Sequence, residues 1–296
     1  MRNLMSGNRG VAAAAVAAAL GLALFAALPA EAQGTPPAQP AQQQQPAAGQ
    51  APPPGAAQNP AAPAQPPVTK EEEDAYKAFT DLTPQQRDQL ISTGEDFLSK
   101  HPASLYRSAV YARLVLAYLN SGKLDKMFST GEKALAENPN NVDVLALMCT
   151  TLPVAGFDPR ALDANQKLDQ AEKYAKRAIQ LASTITKPAT MTDEEFTNSI
   201  HVKLGMAHSG LGRVYYWEGK TADSVNELGL SVKTDPSPDL LDYYLLGTGE
   251  LRLKDYSDAG AAFESCGKSA WAWQDRCKKS AEDAKKMASA PPAAKP

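Results

Sequence analysis

Few residues of this 296-residue chain have the types and spacing that catalysis or metal binding requires. Only three histidines are present, and His101 lies at the predicted end of a helix. His201 and His208 are seven residues apart on one predicted helix, about 10 Å along its axis, which is too far to share a metal ion. The acidic residues are spread along predicted helix surfaces and mostly alternate with Lys. The sequence therefore predicts no enzyme, no metal site and no cofactor.

The cysteines indicate a disulfide rather than a metal site. Cys266 lies near the end of one predicted helix and Cys277 in the next, with a turn containing Gly267 between them. Such a hairpin can bring two sulfur atoms together, and disulfides persist in exported proteins. We therefore predict a Cys266–Cys277 bridge, which leaves Cys149 unpaired.

The first 32 residues have the organisation of an export signal. Arg2 and Arg9 form a basic start, residues 11–28 are uncharged and apolar, and residues 30–32 are a small-x-small cleavage site. We expect cleavage after Ala32 and a periplasmic or secreted protein of the bacterial cell envelope. The alternative is retention as a membrane anchor, because about 18 apolar residues is the lower limit for a membrane span.

A second segment, residues 33–69, contains no charged side chain and 11 of the 23 prolines. Its Pro, Ala and Gln composition predicts a disordered linker with polyproline II character. It is interpreted either as a spacer or as a solubilising tail, and residues 288–296 form a shorter tail of the same kind. The net charge of −3 and the scattered Lys and Arg residues indicate no nucleic-acid partner.

Between these tails, residues 70–287 are predicted to be helical throughout, because strand-like alternation is absent. Thr83 and Pro84 are interpreted as a cap and first turn of the second helix. A capping box at residues 192–195 opens a long helix. A polar helix from about residue 269 to 286 is predicted to cap the C-terminal end of the domain.

Residues 108–141 are the best-defined part of the domain, with two amphipathic helical patterns in 34 residues. The apolar, small and terminating positions are Tyr111, Leu114, Ala117, Tyr118, Gly122, Ala134, Leu135 and Pro139. In these positions the segment resembles the tetratricopeptide repeat (TPR) family. A second clear copy covers residues 205–238, and weaker copies cover residues 71–104, 142–183 (interrupted at 153–159) and 240–273. The resemblance implies an all-α solenoid of stacked helix-turn-helix repeats, in which Cys149 is a buried, unreactive thiol at a helix contact.

In TPR proteins the first helices of the repeats line a concave groove that binds another polypeptide. Carried over by motif position, the resemblance implies a partner-binding groove that contains Leu116, Asn120, Arg213, Tyr216, Trp217, Tyr244, Thr248 and Arg252. Tyr, Trp and Arg dominate binding hot spots. The alternative is that Tyr216 and Trp217 merely pack on the neighbouring helix. Ala112 and Leu116 replace the Lys/Asn clamp of the chaperone-binding repeats, so recognition of a C-terminal carboxylate is not expected.

These observations predict an exported scaffold that binds an unidentified protein or peptide. The alternatives are a membrane-tethered scaffold, a structural envelope protein that associates with itself and, less favoured, an enzyme subunit.

Overall fold

The computed structural model describes residues 68–290. The predicted export signal, nearly all of the predicted linker and the end of the predicted tail lie outside the described residues. Within them the chain forms α1 (Lys70–Thr80), α2 (Arg87–Lys100), α3 (Arg107–Asn120), α4 (Leu124–Glu137), α5 (Val142–Thr151), α6 (Ala164–Ala182), α7 (Asp193–Trp217), α8 (Thr221–Thr234), α9 (Leu240–Leu253), α10 (Tyr256–Gly267) and α11 (Gln274–Ser289).

The helices form five successive hairpins followed by the single helix α11. Each helix packs on the next one along the chain, from α1 with α2 to α10 with α11. No strand occurs in residues 68–290. The expected all-α solenoid of TPR-like repeats with a C-terminal capping helix is therefore confirmed.

From the second repeat onward, the first helices of neighbouring repeats form one continuous layer. Helix α3 contacts α5, α5 contacts α7, and α7 contacts α9. In the part of the chain that the structure describes, no comparable contact joins the second helices α4, α6, α8 and α10. We call this layer of first helices the inner wall and the layer of second helices the outer side.

The apolar pattern of residues 108–141 explains the hairpin of α3 and α4. Val110, Leu114 and Tyr118 recur at four-residue intervals on α3 and are at most 3% exposed, which is the period of one helix face. Gly122 ends the first helix with a φ of 67°, a conformation that glycine adopts without a steric penalty. Met127 and Ala134 supply the facing side of α4 and are fully buried.

Two helix starts differ from expectation, and one agrees with it. Thr83 and Pro84 do not begin α2, which starts at Arg87, because the Thr83 hydroxyl donates to the side-chain oxygen of Gln86 in a turn (3.1 Å). Helix α11 starts at residue 274 rather than about 269. The capping box is confirmed, since Thr192 accepts from the Glu195 amide and the Glu195 carboxylate accepts from the Thr192 amide.

Close packing between helices depends on residues without bulky side chains. A Cβ atom at Gly210 of α7 would lie 2.7 Å from the Cys149 sulfur and 2.8 Å from its carbonyl oxygen on α5. Cys149 is fully buried, and this burial raises the pKa of its thiol to about 12. The thiol is therefore protonated and sealed from solvent, as an unreactive packing residue should be.

The two remaining cysteines join the last hairpin to the capping helix. The sulfur atoms of Cys266 on α10 and Cys277 on α11 form a disulfide with a Cα–Cα distance of 5.9 Å. Both residues are fully buried among Ala259, Phe263, Ala281 and Ala284. None of the helices described here combines the length and apolar character that a membrane span needs.

Candidate partner-binding surface

The C-terminal end of α7 presents two aromatic rings on the inner-wall side of the solenoid. Trp217 is 42% exposed, and its indole nitrogen donates to the carbonyl oxygen of Pro153 at 2.8 Å. Its ring lies 5.2 Å from that of Phe157, in the segment between α5 and α6, and 5.7 Å from that of Tyr216. Trp217 is thus held in place along its edge while part of its ring remains open to solvent.

Helix α9 adds a row of side chains beside these rings. Tyr244, Thr248 and Arg252 are spaced by four residues and therefore lie along one helix face. The guanidinium of Arg252 lies over the Tyr216 ring, 4.8 Å from its centroid, and Nη2 donates to the Tyr216 hydroxyl at 3.4 Å. The Thr248 hydroxyl donates to the Tyr244 carbonyl oxygen at 2.8 Å, so its proton is already used in a hydrogen bond within α9.

At the other end of this row, Tyr244 meets residues at the start of the capping helix. Its ring packs edge to face on Trp273 at 4.9 Å. The Arg276 guanidinium lies 5.9 Å from the Tyr244 ring and 5.6 Å from the Trp273 ring. We call the whole set the aromatic–arginine surface; it consists of Phe157, Tyr216, Trp217, Tyr244, Arg252, Trp273 and Arg276.

The composition of this surface suits recognition rather than catalysis. The five rings are only partly covered, and both arginines are exposed. Aromatic and Arg side chains that keep a fixed orientation provide large contact areas with little loss of side-chain entropy. The guanidinium groups donate hydrogen bonds and accept none, so the surface favours a ligand rich in acceptors.

The prediction that Arg213 lines the partner-binding groove is wrong, because its side chain is buried. Its side chain is 5% exposed and bridges two carboxylates, with Nε donating to Asp242 at 2.8 Å and Nη2 to Asp239 at 2.7 Å. Nη1 donates to the Thr150 carbonyl oxygen at 3.2 Å. Burial opposes the charged form, but the attraction of Asp242 and Asp239 outweighs it and holds the pKa of Arg213 above its ordinary value. Arg213 therefore joins repeats rather than binding a ligand.

The other expected groove residues divide into two groups. Tyr216, Trp217, Tyr244 and Arg252 lie on the aromatic–arginine surface, with Thr248 between two of them. Leu116 and Asn120 lie on α3, two repeats away. Leu116 packs against the N-terminal core, and the Asn120 carbonyl oxygen accepts from Arg87 at 2.7 Å. The structure therefore does not bring all eight residues into one site.

Three members of the aromatic–arginine surface were not among the groove residues predicted from the sequence. Phe157 lies in the interruption of the third repeat, Trp273 ends the predicted fifth repeat, and Arg276 lies in the capping helix. None of the three is at a groove position of the repeat motif. The two tryptophans at 271 and 273, near the start of the predicted capping helix, are the one signal in the sequence.

Three carboxylates outside this surface converge closely enough to hold a metal ion, namely those of Asp169, Glu172 and Glu218. Two of them already have cationic partners. Lys176 lies 2.7 Å from Glu172, and Lys220 lies 2.8 Å from Glu218. Their charges are thus compensated by side chains of the protein.

No protein-family model matches the chain, and no curated protein matches it significantly. Among solved structures, a tetratricopeptide repeat protein from Parabacteroides merdae is similar to this chain, with 14% sequence identity and a TM-score of 0.28. That match covers 73% of this chain and 100% of the other.

Proposed function

We propose that this protein is an exported, non-catalytic scaffold of the bacterial cell envelope that binds a protein or peptide on its inner wall. The observation that carries the proposal is the aromatic–arginine surface, where partly exposed rings and two arginines lie together across the fourth and fifth repeats and the start of the capping helix. An extended peptide or a partner helix fits the open inner side of a solenoid. Nucleic acid is not a proposed partner, and a membrane is one only if the N-terminal segment is retained as an anchor.

Partner capture from envelope extract tests this role. The proteins to compare are the tagged wild type, Trp217→Ala, Arg252→Ala and, as a control, Lys77→Ala on the exposed side of α1. We expect the first two variants to lose the same partner by at least tenfold, while the control retains it. Equal recovery by all four proteins would remove the aromatic–arginine surface from the proposal.

Export is supported by the organisation of residues 1–32 and by the Cys266–Cys277 disulfide, which suits an oxidising compartment. Mass spectrometry of the mature N-terminus tests it. Cleavage gives a chain that starts at Gln33, whereas retention of Met1 or of the apolar segment supports the anchored alternative. Light scattering of the purified protein addresses self-association, because an oligomer that dissociates in Trp217→Ala would mean that the surface binds a second copy of this chain.

A further inference from the structure

We infer that the aromatic–arginine surface is occupied by the proline-rich segment of this same chain, with residues 36–54 as the part that docks. This inference rests on the proposed function, since it concerns the same surface, and it makes the segment a competitor of any external partner.

The first argument is chemical complementarity. Residues 36–54 contain seven prolines, including the run Pro52–Pro54, and no charged side chain. Proline has a carbonyl acceptor and no amide donor, and a polyproline II segment leaves its carbonyl groups free. The surface supplies the matching hydrogen-bond donors, because the guanidinium groups of Arg252 and Arg276 donate hydrogen bonds and accept none.

The second argument is the shape of the aromatic layer. Grooves that recognise polyproline II segments are lined by aromatic rings, against which the proline rings pack. Tyr216 and Trp217 stand edge to face at 5.7 Å, and Tyr244 and Trp273 stand edge to face at 4.9 Å. Tyr244 and Arg252 are eight residues apart on α9, so the two ring pairs are about 12 Å apart along that helix. A polyproline II segment of about four residues spans this distance.

The third argument is the length of the chain that precedes the described residues. Val68 leads directly into α1 at the N-terminal end of the solenoid. Packed helices are about 10 Å apart, so the four steps from the first to the fifth repeat amount to roughly 40 Å. The 14 residues from Pro54 to Val68 span about 43 Å at 3.1 Å per residue. With the docking segment included, the 31 residues from Pro37 to Val68 span about 96 Å at the same rise, so the segment is long enough to reach the surface.

The inference predicts a measurable competition. A tethered segment has an effective concentration in the millimolar range, so even a weak site would be filled within the chain. The probe is a fluorescein-labelled synthetic peptide of residues 36–54, added to the full chain and to a full chain whose seven prolines in that segment are replaced by serine. We expect the peptide to bind the proline-substituted chain at least tenfold more tightly than the unchanged chain, as measured by fluorescence polarisation.

The binding site is tested in the proline-substituted chain. Adding Trp217→Ala or Arg252→Ala should weaken peptide binding at least tenfold, because both side chains are exposed members of the surface. Lys173→Ala, in a separate groove between α4 and α6, should leave it unchanged. Thermal unfolding of each variant checks that the fold is retained.

Two results would overturn the inference. Equal peptide affinity for the two chains would mean that the segment does not occupy the surface. Absence of binding to the substituted chain up to about 1 mM would mean that the affinity is too weak even for a tethered segment. Neither result affects the proposed function, since loss of an external partner in Trp217→Ala would still support it.

Discussion

The guanidinium of Arg252 lies over the ring of Tyr216 at 4.8 Å, so a residue near the end of α9 is stacked on the end of α7. This contact joins the fourth repeat to the fifth at the inner wall. It also fixes the orientation of a ring and a cation that both remain accessible.

A double-mutant cycle measures this contact. Because exposed cation–π pairs are worth about 0.5–1 kcal/mol, we expect Arg252→Ala and Tyr216→Leu to show a coupling free energy of this size in urea unfolding. The single variant Arg252→Ala should lower stability by less than about 1 kcal/mol. A coupling free energy near zero would mean that the pair contributes nothing to the joint between the repeats.

Replacement of Arg213 should destabilise the protein far more than replacement of Arg252. Arg213→Met removes the cation between Asp239 and Asp242 and leaves the fully buried Asp242 carboxylate uncompensated, which costs about 3–5 kcal/mol. Adding Asp242→Asn should recover part of this loss, because it removes the buried charge. Urea unfolding of the wild type and both variants checks this, and a loss below about 1 kcal/mol in Arg213→Met would contradict the structural role.

The stability of the protein should fall as the pH rises from about 4.5 to about 7, owing to Glu250. Burial, reinforced by the nearby Asp258 and Asp255, raises the pKa of Glu250 from 4.5 to about 7. Because the folded state holds this proton more tightly than the unfolded state, the associated stability is complete below about pH 4.5 and is lost on rising to about pH 7. At pH 8 we expect the free energy of unfolding of Glu250→Gln to exceed that of the wild type by about 1–2 kcal/mol, after allowance for partial solvent exposure.

The difference between Glu250→Gln and the wild type should disappear near pH 4. Thermal unfolding across this range gives the comparison, with Glu282→Gln on the exposed face of α11 as the control. A difference that does not change with pH would show that Glu250 titrates normally.

The disulfide should stabilise the C-terminal end of the solenoid. Cys266 and Cys277 are 11 residues apart, and the loop-entropy relation for this length gives about 3 kcal/mol. Cys266→Ala/Cys277→Ala should therefore lower the free energy of unfolding by about 2–3 kcal/mol. Hydrogen exchange should locate the loss of protection in α10 and α11, and equal loss in α1 and α2 would contradict a local effect.

Two glycine substitutions should have opposite effects. Gly210→Ala places a methyl group 2.7 Å from the Cys149 sulfur and should destabilise by about 1–3 kcal/mol. Gly229→Ala, on α8, meets nothing within 4 Å and should stabilise by about 0.5–1 kcal/mol through its better helix propensity. The Tm values of the two variants should therefore move in opposite directions.

The helical framework was predictable from the sequence because its signals are local. The four-residue spacing of Val110, Leu114 and Tyr118 defines one buried face, and the capping box of Thr192 and Glu195 marks a helix start. Both depend only on residues within two turns of one another. The start of α2 was mispredicted because a threonine followed by proline can equally form a turn, and the side chain of Gln86 decides between the two.

The candidate site was only partly predictable, because its members come from distant parts of the chain. Motif positions placed Tyr216, Trp217, Tyr244 and Arg252 on the inner side. They also placed Arg213 there, because a one-dimensional pattern cannot show that Asp239 and Asp242 lie within reach of its guanidinium. Phe157 and Trp273 join the surface only through tertiary packing, for which the sequence contains no spacing rule.

Arg213 has a consequence for how the solenoid comes apart. Through Thr150, Asp239 and Asp242 its one side chain ties α5, α7 and α9 together, and those helices belong to three consecutive repeats. Repeat arrays whose units touch only their neighbours can melt one unit at a time. Here the side chain of Arg213 joins the third, fourth and fifth repeats. We therefore expect these three repeats to unfold as one cooperative unit, while the N-terminal repeats can still unfold separately.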